Sequence, residues 1–429
     1  MYLTYRYRIY PKAAQEIELG RWMEELCFLW NHALDERHVA WAKHALKVSY
    51  LDQQRSLTRW RAHDVDGIGR VLRHVAEDCL WRLDLAFRSF FGRVQAGETP
   101  GYPRRRCEVH SFTYPDAIGS VKVGTATKDR RAFLSGIGYV PIVLHRDPPG
   151  NGVLKTATVS HRSDGWHLAL SYQVPDPAPA PSEPPVNPVG VDMGLTNLVT
   201  LSDGGMVPAP RFGQRAERGI AREQRRLARK QPGSKNWHKQ LARLGRRHAR
   251  VRNARRDHAH RLTTDLARKH DLVAIERLEI KGLAGSLLSK QVHDAGWGVL
   301  RDMLAYKMRL RSRTFLEVDP KGTTQDCSQC GATANPPVLL GQQTYRCACG
   351  LVVDRDVNAA RNILTRGLEE VGRRPPELTP EERGPTLTSR GRRVFQRQRA
   401  NSLNQELAAF ARVTRWWLMA TSSHEGEGS

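Results

Sequence analysis

Two stripes of apolar residues at helical spacing open the chain. The first stripe is Leu19, Met23, Leu26, Trp30 and Ala33, and the second is Leu72, Val75, Cys79, Leu83, Phe87 and Phe90. Steps of three and four residues place each set on one side of a helix, so both predict core faces of a helical region at about 12–100. Ahead of them, residues 2–10 alternate aromatic and basic side chains, which favours an edge strand near nucleic acid.

From about residue 110 to residue 174 the pattern is typical of β-strands. Val153 to Ser160 and Trp166 to Val174 flank the turn sequence Ser163-Asp164-Gly165, which predicts a hairpin. Residues 175–188 then hold seven prolines in fourteen positions. A stretch of this composition is stiff and extended, so we expect a linker between two domains.

Short apolar runs and longer helical segments alternate in the second half. Strands are expected at 189–193, 198–201, 272–275 and 314–318, and helices at 211–270, 293–312 and 356–366. The sequence Gln231-Pro232-Gly233-Ser234 breaks the first of these helical segments into a hairpin. Residues 367–429 are rich in Pro, Arg and Glu and are expected to form a largely disordered tail, with a last helix at 402–420.

Net charge points to the class of partner. The 429 residues include 68 Lys and Arg against 44 Asp and Glu, a formal net charge of +24. Such a surplus repels itself in a compact state and is usually offset by a polyanion, and nucleic acid is the favoured one. No apolar run approaches the ~18 residues of a spanning helix, and the N-terminus lacks a signal-peptide pattern. We therefore expect a cytoplasmic protein without a membrane partner.

Positive charge is densest in the helical hairpin at 211–270, which carries 20 Lys and Arg against four acids. A solvated helix face is the simpler explanation of a charge run, but this density favours phosphate contact, without distinguishing RNA from DNA. Residues 101–106 form a second basic segment. The candidate nucleic-acid-binding residues are Arg104, Arg105, Arg222, Arg225, Arg226, Arg229, Lys230, Arg246, Arg247, Arg250, Arg255 and Arg256.

Three acids occupy positions that packing does not favour. Asp192 lies in an apolar strand, Glu276 ends another, and Asp356 opens a helix. Carboxylates gathered at strand ends repel one another unless cations lie between them, and Mg²⁺ prefers such oxygen ligands. Two Mg²⁺ ions would stabilise both the attacking and the leaving oxygen of a phosphodiester. We expect these three acids to be catalytic and to bind two Mg²⁺ ions.

Each acid also has a simpler structural explanation. Asp356 would cap the following helix, Glu276 would pair with Arg277, and Asp192 would lie in a turn. Asp354 is an alternative to Asp356 as the third catalytic acid. Asp356 is preferred because the motif Asp-x-Asn-Ala-Ala begins there.

Four of the seven cysteines lie close together in the sequence. Cys327-Ser-Gln-Cys330 has the spacing of a zinc knuckle, Cys347-Ala-Cys349 follows, and a glycine comes after each pair. Four thiolates would close a tetrahedral, structural Zn²⁺ site in a reducing compartment. The second pair is one residue shorter than usual, so a reduced knuckle without zinc is the alternative.

Several short motifs follow one another in a recognisable order. They are Tyr5-Arg-Tyr-Arg-Ile-Tyr-Pro11, Trp30-Asn-His-Ala-Leu34, Phe87-Arg-Ser-Phe-Phe91, Val189-Gly-Val-Asp-Met-Gly194, Ala274-Ile-Glu-Arg-Leu278, Asp294-Ala-Gly-Trp297, Thr324-Gln-Asp-Cys-Ser-Gln-Cys-Gly331 and Asp354-Arg-Asp-Val-Asn-Ala-Ala-Arg-Asn362. Over about residues 1–366 the chain resembles the TnpB (OrfB) proteins of bacterial insertion sequences, relatives of the compact type V CRISPR effectors. It departs from them in the shortened second cysteine pair and in Thr324, where the family commonly has Ser.

The resemblance implies a multidomain fold of mixed α+β and α/β class. The expected parts are a β-barrel wedge domain with a helical recognition insertion at 1–174, a linker at 175–188, and an RNase H-like (RuvC) domain at 189–366 with a zinc ribbon inserted at 322–353. In such a fold the first and fourth strands of the nuclease sheet are neighbours. The resemblance therefore implies that Asp192 and Glu276 meet, and that Asp356 completes the triad.

The resemblance also implies partners and an activity. A guide noncoding RNA would direct the protein to double-stranded DNA beside a short adjacent motif, and both DNA strands would be cut. The expected setting is a bacterial cytoplasm, with association with the nucleoid during activity. A guide-independent transposase and an RNA-guided regulator without nuclease activity are the alternatives, and a small CRISPR effector is the alternative to a transposon protein. Whether the protein is a monomer or a dimer stays open.

Overall fold

The computed structural model describes residues 1–123, 130–181, 183–279, 289–339 and 341–373. The expected helix at 402–420, with the rest of the predicted tail after residue 373, lies outside the described residues. The described chain divides into two compact units, Met1–Pro175 and a second that begins at Asp176. In the part of the chain that is described, no helix combines the length and apolar character needed to cross a membrane.

The first unit combines α-helices with an antiparallel β-sheet. Its strands are β1 (Tyr2–Ile9), β2 (Ser111–Tyr114), β3 (Val121–Val123), β4 (Arg131–Leu134), β5 (Gly138–Val143), β6 (Val153–Arg162) and β7 (Gly165–Gln173), and its helices are α1 (Ala13–His44), α2 (Tyr50–Ala62), α3 (Arg73–Gln95) and α4 (Ala117–Ser120). The strands form one sheet in the order β2-β6-β7-β1-β5-β4-β3. Strands β2 and β3 are its edges, so closure into a barrel stays a prediction.

Strand β1 lies inside this sheet, and the interpretation of residues 2–10 as an edge strand is wrong. The strand pairs with β7 from Tyr2 to Arg8 and with β5 at Arg8 and Ile9. The side chains of Tyr7 and Ile9 are only 0% and 1% exposed, so alternate residues of β1 are part of the core. The burial of these apolar positions explains the central place of β1.

Both apolar stripes of the sequence are buried in the core of the first unit. Leu19 and Trp30 on α1 and Leu83 and Phe87 on α3 belong to the same cluster of buried side chains as the inward-facing residues of the sheet. The predicted hairpin is confirmed, because β6 and β7 pair up to Arg162 and Gly165 on either side of a two-residue turn. Positions that repeat at helical or strand spacing therefore do form the packed interior.

In its described residues, the second unit contains a five-stranded sheet and a separate two-stranded sheet formed by its last two strands. Its strands are β8 (Pro188–Asp192), β9 (Asn197–Leu201), β10 (Met206–Pro208), β11 (Leu272–Glu276), β12 (Thr314–Val318), β13 (Thr344–Arg346) and β14 (Val352–Asp354), and its helices are α5 (Phe212–Ala228), α6 (Lys235–Lys269), α7 (Ser289–Ala295), α8 (Trp297–Arg309) and α9 (Arg355–Arg373). The five-stranded sheet has the order β10-β9-β8-β11-β12. Strands β8, β9 and β10 are antiparallel neighbours, whereas β11 is parallel to both β8 and β12.

Two helix boundaries differ from those expected. The segment at 293–312 is divided between α7 and α8 by Gly296, whose φ of 69° interrupts the helical backbone. Helix α9 continues to Arg373, so it includes residues 367–373, which the sequence assigned to the tail. The apolar side chain of Val371 packs against the buried cluster that contains Ile363, which explains why the helix extends this far.

Helix α9 packs closely on the central strands β8 and β11. A Cβ atom at Gly190 of β8 would lie 2.0 Å from the carbonyl oxygen of Ala360 on the helix, so only glycine permits this approach. On β11 and β12, Ala274 and Leu316 join Ile363 in a buried cluster under the same helix. This packing fixes the first turn of α9 beside the carboxyl ends of β8 and β11.

Candidate active site and cysteine cluster

The carboxyl ends of β8 and β11 bring two of the predicted acids to one edge of the sheet. Val191 pairs with Ile275 in parallel register, and each is followed by an acid, Asp192 on β8 and Glu276 on β11. Asp192 is therefore the last residue of a strand, where it also pairs with Thr200 of β9, and it does not lie in a turn. Neighbouring parallel strands thus end in the two acids at the same side of the sheet, where the charge of Glu276 acts on Asp192.

The three acids interact electrostatically. Burial and, after it, the charges of Glu276 and Asp356 together raise the pKa of Asp192 to about 8, against the opposing charge of Arg355. Burial also raises the pKa of Glu276, against the effects of a hydrogen bond from Thr323 and of the charge on Arg366. Asp192 therefore lies close enough to two other carboxyl groups to feel their charge, a setting to which a divalent cation would add the missing positive charge.

Asp354 and Asp356 have different roles in the first turn of α9. The Oδ1 atom of Asp354 accepts hydrogen bonds from the backbone N–H groups of Asp356 and Val357, at 2.9 and 3.3 Å. Asp354 is therefore the N-cap of the helix. The Oδ1 atom of Asp356 accepts from the Arg355 guanidinium at 3.0 Å, and its charge acts on Asp192. The geometry favours Asp356 over Asp354 as the third acid.

Glu276 has a different partner from the one that the sequence suggested. Its buried carboxylate, 8% exposed, accepts a hydrogen bond from the hydroxyl of Thr323. The neighbouring Arg277 donates to the backbone carbonyl of Glu317 at 3.0 Å. Thr323 was not singled out from the sequence, because it lies 47 positions from Glu276 and no local pattern links the two.

The four clustered cysteines converge on one point. The sulfur of Cys327 lies 3.7 Å from that of Cys349, and the sulfur of Cys330 lies 3.6 Å from that of Cys347. All four sulfur atoms lie within 4.8 Å of one another. A tetrahedral ion with metal–sulfur bonds of about 2.3 Å requires sulfur atoms roughly 3.8 Å apart, so the donor set fits zinc. The shortened second pair closes this cluster.

Local backbone geometry favours the thiolate form of Cys327 and the turns that follow both cysteine pairs. Although burial opposes it, hydrogen bonds from the backbone of Cys330 and Gln329 lower the pKa of the Cys327 thiol to about 7. The thiolate is the form that binds metal. Gly331 and Gly350, which follow the two pairs, have φ of 74° and 92°, a conformation that other residues rarely adopt. Each glycine therefore permits the turn that brings its pair of sulfurs inward.

The predicted nucleic-acid-binding residues of the helical hairpin fall into two groups. Most are exposed on α5, α6 and the turn between them: Arg222, Arg225, Arg226, Arg229, Lys230, Arg246, Arg250 and Arg256. Arg247 and Arg255 are half-buried and form ion pairs, Arg247 with Glu223 at 3.2 Å and Arg255 with Asp294 at 2.7 Å. Arg247 joins the two helices of the hairpin, Arg255 joins α6 to α7, and the exposed group presents the positive charge.

The basic loop at 101–106 is anchored on α1 of the first unit. The indole of Trp30 donates to the carbonyl of Arg104 at 3.0 Å, and the side chain of Asn31 bonds the backbone of Arg106 through both its oxygen and its nitrogen. Arg104 and Arg105 are exposed, and Arg105 pairs with Asp35 at 2.7 Å. The loop therefore holds a fixed conformation with these two side chains at the surface.

Comparison with known proteins decides the family. A protein of Streptomyces pristinaespiralis described as a "Putative RNA-guided DNA endonuclease" is 33% identical over 370 residues, which cover 85% of this chain and 89% of that protein. InsQ of Escherichia coli K12, with the same description, is 31% identical over 387 residues, 85% of this chain and 92% of InsQ. The chain belongs to the TnpB (OrfB) family.

Family models agree with this membership of the TnpB family. A model described as a probable transposase matches residues 169–287, and one described as a Cas12f1-like TNB domain matches 297–363. A third, described as a helix-turn-helix domain, matches 1–45, where the structure has strand β1 and the single uninterrupted helix α1. The name of that third model therefore does not describe the structure of this segment.

One solved structure shares the fold of the TnpB-family chain. The structure of a Cas12f1–sgRNA–target DNA complex superposes with a TM-score of 0.53 at 15% sequence identity, over 82% of each chain. At this identity the likeness concerns the fold alone. It supports a chain of mixed α and β content arranged as in that effector.

Proposed function

We propose that this protein is an RNA-guided, metal-dependent DNA endonuclease encoded by a transposable element. A guide RNA selects a double-stranded target beside a short adjacent motif, and the acid centre cleaves the DNA. The observation that carries the proposal is the pairing of β8 with β11, which places Asp192 and Glu276 at one edge of the sheet with Asp356 beside them. The relatives described as RNA-guided DNA endonucleases share most of their length with this chain.

The proposal includes the type of nuclease domain. The sheet order β10-β9-β8-β11-β12, with three antiparallel strands followed by two parallel ones, supports an RNase H-like (RuvC) domain at 189–366. The cysteine cluster supports an inserted zinc ribbon at 322–353. The first 174 residues are the proposed wedge domain, with α1, α2 and α3 as its helical recognition part.

Asp192, Glu276 and Asp356 are the proposed ligands of two Mg²⁺ ions. When bound, such ions stabilise the charge that develops on the attacking and leaving oxygens of a phosphodiester. The protein contributes the fixed positions of the carboxylates, because strand pairing holds Asp192 and Glu276 and the packed helix α9 holds Asp356. Thr323 orients the Glu276 carboxylate, and Arg355 orients that of Asp356.

The positively charged surface of each unit is a proposed contact for the guide RNA or the DNA. The exposed arginines of α5 and α6, with Arg104 and Arg105 of the first unit, would neutralise backbone phosphates. A contact of this kind binds RNA or DNA without reading bases, so sequence selection is left to pairing with the guide. This division of roles suits a chain with a formal net charge of +24.

Purification from cells that carry the element tests the proposal and its alternatives. We expect a discrete copurified RNA, and Mg²⁺-dependent cleavage of a plasmid that carries the matching target. The Asp192→Ala variant should retain the RNA and lose cleavage. Retained RNA with no cleavage by the unaltered protein would favour a nuclease-silent regulator, and absence of a discrete RNA would favour a guide-independent transposase.

A further inference from the structure

The segment that leads into the cysteine cluster and includes Cys327 is bonded to two of the three elements that carry the acids, β11 and α9. We propose that residues 323–328, here called the clasp, position Glu276 and the first turns of α9, so that metal binding by the four cysteines sets the geometry of the acid centre. The inference rests on the proposed function, because it assigns a role within that acid centre. The cysteine cluster then affects how tightly the acid centre, which lies outside the cluster, binds a divalent cation.

Thr323 connects the clasp to strand β11. Its hydroxyl donates a hydrogen bond to Oε1 of Glu276, and the two side chains are 2% and 8% exposed. A carboxylate this deeply buried has few alternative partners in water, so the hydroxyl restricts its orientation. The backbone carbonyl of the same threonine accepts from the side chain of Asn362 at 2.8 Å. One residue thus joins a catalytic acid to helix α9.

Two buried asparagines attach helix α9 to the clasp. The amide of Asn358 bridges the clasp backbone, accepting from the N–H of Ser328 at 2.9 Å and donating to the carbonyl of Asp326 at 2.8 Å. Asn362, one turn later, donates to the carbonyls of Thr323 and Asp326 at 2.8 and 2.7 Å. The two amides are 0% and 8% exposed. The two asparagines lie four residues apart on one helix face, and the first comes two residues after Asp356.

Arg366 extends this attachment by a further turn of the helix. It forms an ion pair with Asp326 at 3.1 Å and donates to the backbone carbonyls of Asp319 and Lys321, at 2.8 and 2.6 Å. Side chains at three successive turns of α9 therefore hold the chain that leads from β12 into the cysteine turn. Any displacement of the clasp is transmitted to the helix that carries Asp356.

Cys327 connects the clasp to the metal cluster. It is itself a clasp residue, 2% exposed, and its sulfur lies 3.7 Å from that of Cys349. The phenol of Tyr345, from the strand that leads to the second pair, donates to the carbonyl of Gln325 at 3.1 Å. Four thiolates in this cluster repel one another unless a cation joins them, so loss of the metal releases the two pairs and the clasp with them.

A measurement of divalent-cation binding without nucleic acid distinguishes a positioning role of the clasp from a role in contacting nucleic acid. A module that only contacted nucleic acid would leave the affinity of the acid centre for a divalent cation unchanged when no RNA or DNA is present. The full-length protein, freed of nucleic acid in high salt, is titrated with Mn²⁺ by electron paramagnetic resonance. The Mn²⁺ bound by the Asp192→Ala variant is subtracted, and zinc content is measured in parallel.

Thr323→Val and Thr323→Ser form the matched pair. Valine preserves the shape and removes the hydrogen bond to a charged group, so we expect Asp192-dependent Mn²⁺ binding to weaken about tenfold with zinc content unchanged. Serine keeps the hydroxyl and should bind Mn²⁺ as the unaltered protein does. Equal Mn²⁺ affinity of the valine variant and the unaltered protein would overturn the inference.

Cys330→Ser, with Cys107→Ser as its control, tests the link to the metal. Cys107 is exposed and lies outside the cluster. We expect Cys330→Ser to lose zinc and to weaken Asp192-dependent Mn²⁺ binding, while the control changes neither. Zinc loss without a change in Mn²⁺ affinity would contradict the coupling. Absence of Asp192-dependent Mn²⁺ binding in the unaltered protein is a different result, because it would remove the acid centre itself and with it the proposed function.

Discussion

The carboxylate of Asp354 accepts a hydrogen bond from the backbone N–H of Asp356 at 2.9 Å. Two acids that are two positions apart therefore contribute in different ways. Asp354 satisfies N–H groups at the start of α9, whereas Asp356 acts electrostatically on Asp192. The sequence motif favoured Asp356 as the third catalytic acid with Asp354 as the alternative, and the cap geometry supports that prediction.

Alanine at each of the two positions should give opposite results. Asp354→Ala removes the cap and should cost about 1 kcal/mol of stability with most of the cleavage rate retained. Asp356→Ala should abolish cleavage with RNA binding intact, because the third carboxylate is lost. Thermal unfolding and plasmid cleavage of both variants measure the difference. Full cleavage by Asp356→Ala would indicate that Asp354 is the third catalytic acid.

The raised pKa of Asp192 predicts how stability depends on pH without Mg²⁺. An unfolded chain releases this proton near pH 3.8, and the folded protein releases it near pH 8. Between these values the folded state binds more protons, so the free energy of unfolding should fall as pH rises and level off above about pH 8. Asp192→Asn removes this contribution. In Mg²⁺-free buffer, we therefore expect the free energy of unfolding of the variant minus that of the unaltered protein to be larger at pH 8 than at pH 5. An equal difference at both pH values would contradict the prediction.

Zinc content tests whether the shortened second cysteine pair completes the metal site. Elemental analysis of the purified protein should give about one zinc per chain, as expected for a closed four-cysteine site. Cys349→Ser should reduce zinc to near zero and lower the melting temperature, because its sulfur lies 3.7 Å from that of Cys327. Cys79→Ser, at a cysteine of the first unit outside the cluster, should keep zinc. Full zinc content in Cys349→Ser would show that the second pair is not required.

Exposed and ion-paired arginines of the hairpin should differ in their effect on RNA affinity. Arg222, Arg225 and Arg229 are exposed, so replacing all three with Gln should weaken RNA binding and reduce the salt dependence of log K by about two to three. Arg255→Gln breaks the pair with Asp294 and should mainly lower thermal stability. Filter binding at several salt concentrations measures the slope. An unchanged salt dependence of log K in the triple variant would indicate that these three arginines do not contact the RNA.

Strands and helices were predictable from the sequence where buried positions repeat with a fixed period. The β6–β7 hairpin and the core faces of α1 and α3 follow from that period. Asp192 stood out because it lies in an apolar strand, and Glu276 because it ends one. These features are local, so neighbouring residues in the chain are enough to reveal them.

Features that depend on distant partners were not predictable. The prediction that β1 is an edge strand is wrong, because β1 pairs with β5, whose residues lie more than 130 positions away in the sequence. Thr323 and Asn362 bond groups on other elements, and nothing in their own surroundings in the sequence indicates those partners. The paired asparagines at Asn358 and Asn362 were visible as a motif, but their bonds to the clasp were not.

Redirection of cleavage by a changed guide tests the central claim most directly. The protein is produced with its guide RNA, once with the native target-pairing segment and once with that segment replaced, and each complex is incubated with plasmids that carry either target in Mg²⁺. The account predicts that each complex cuts only the plasmid that matches its guide, and that Asp192→Ala cuts neither. Cleavage of the same site with both guides, or cleavage that persists in Asp192→Ala, would contradict it.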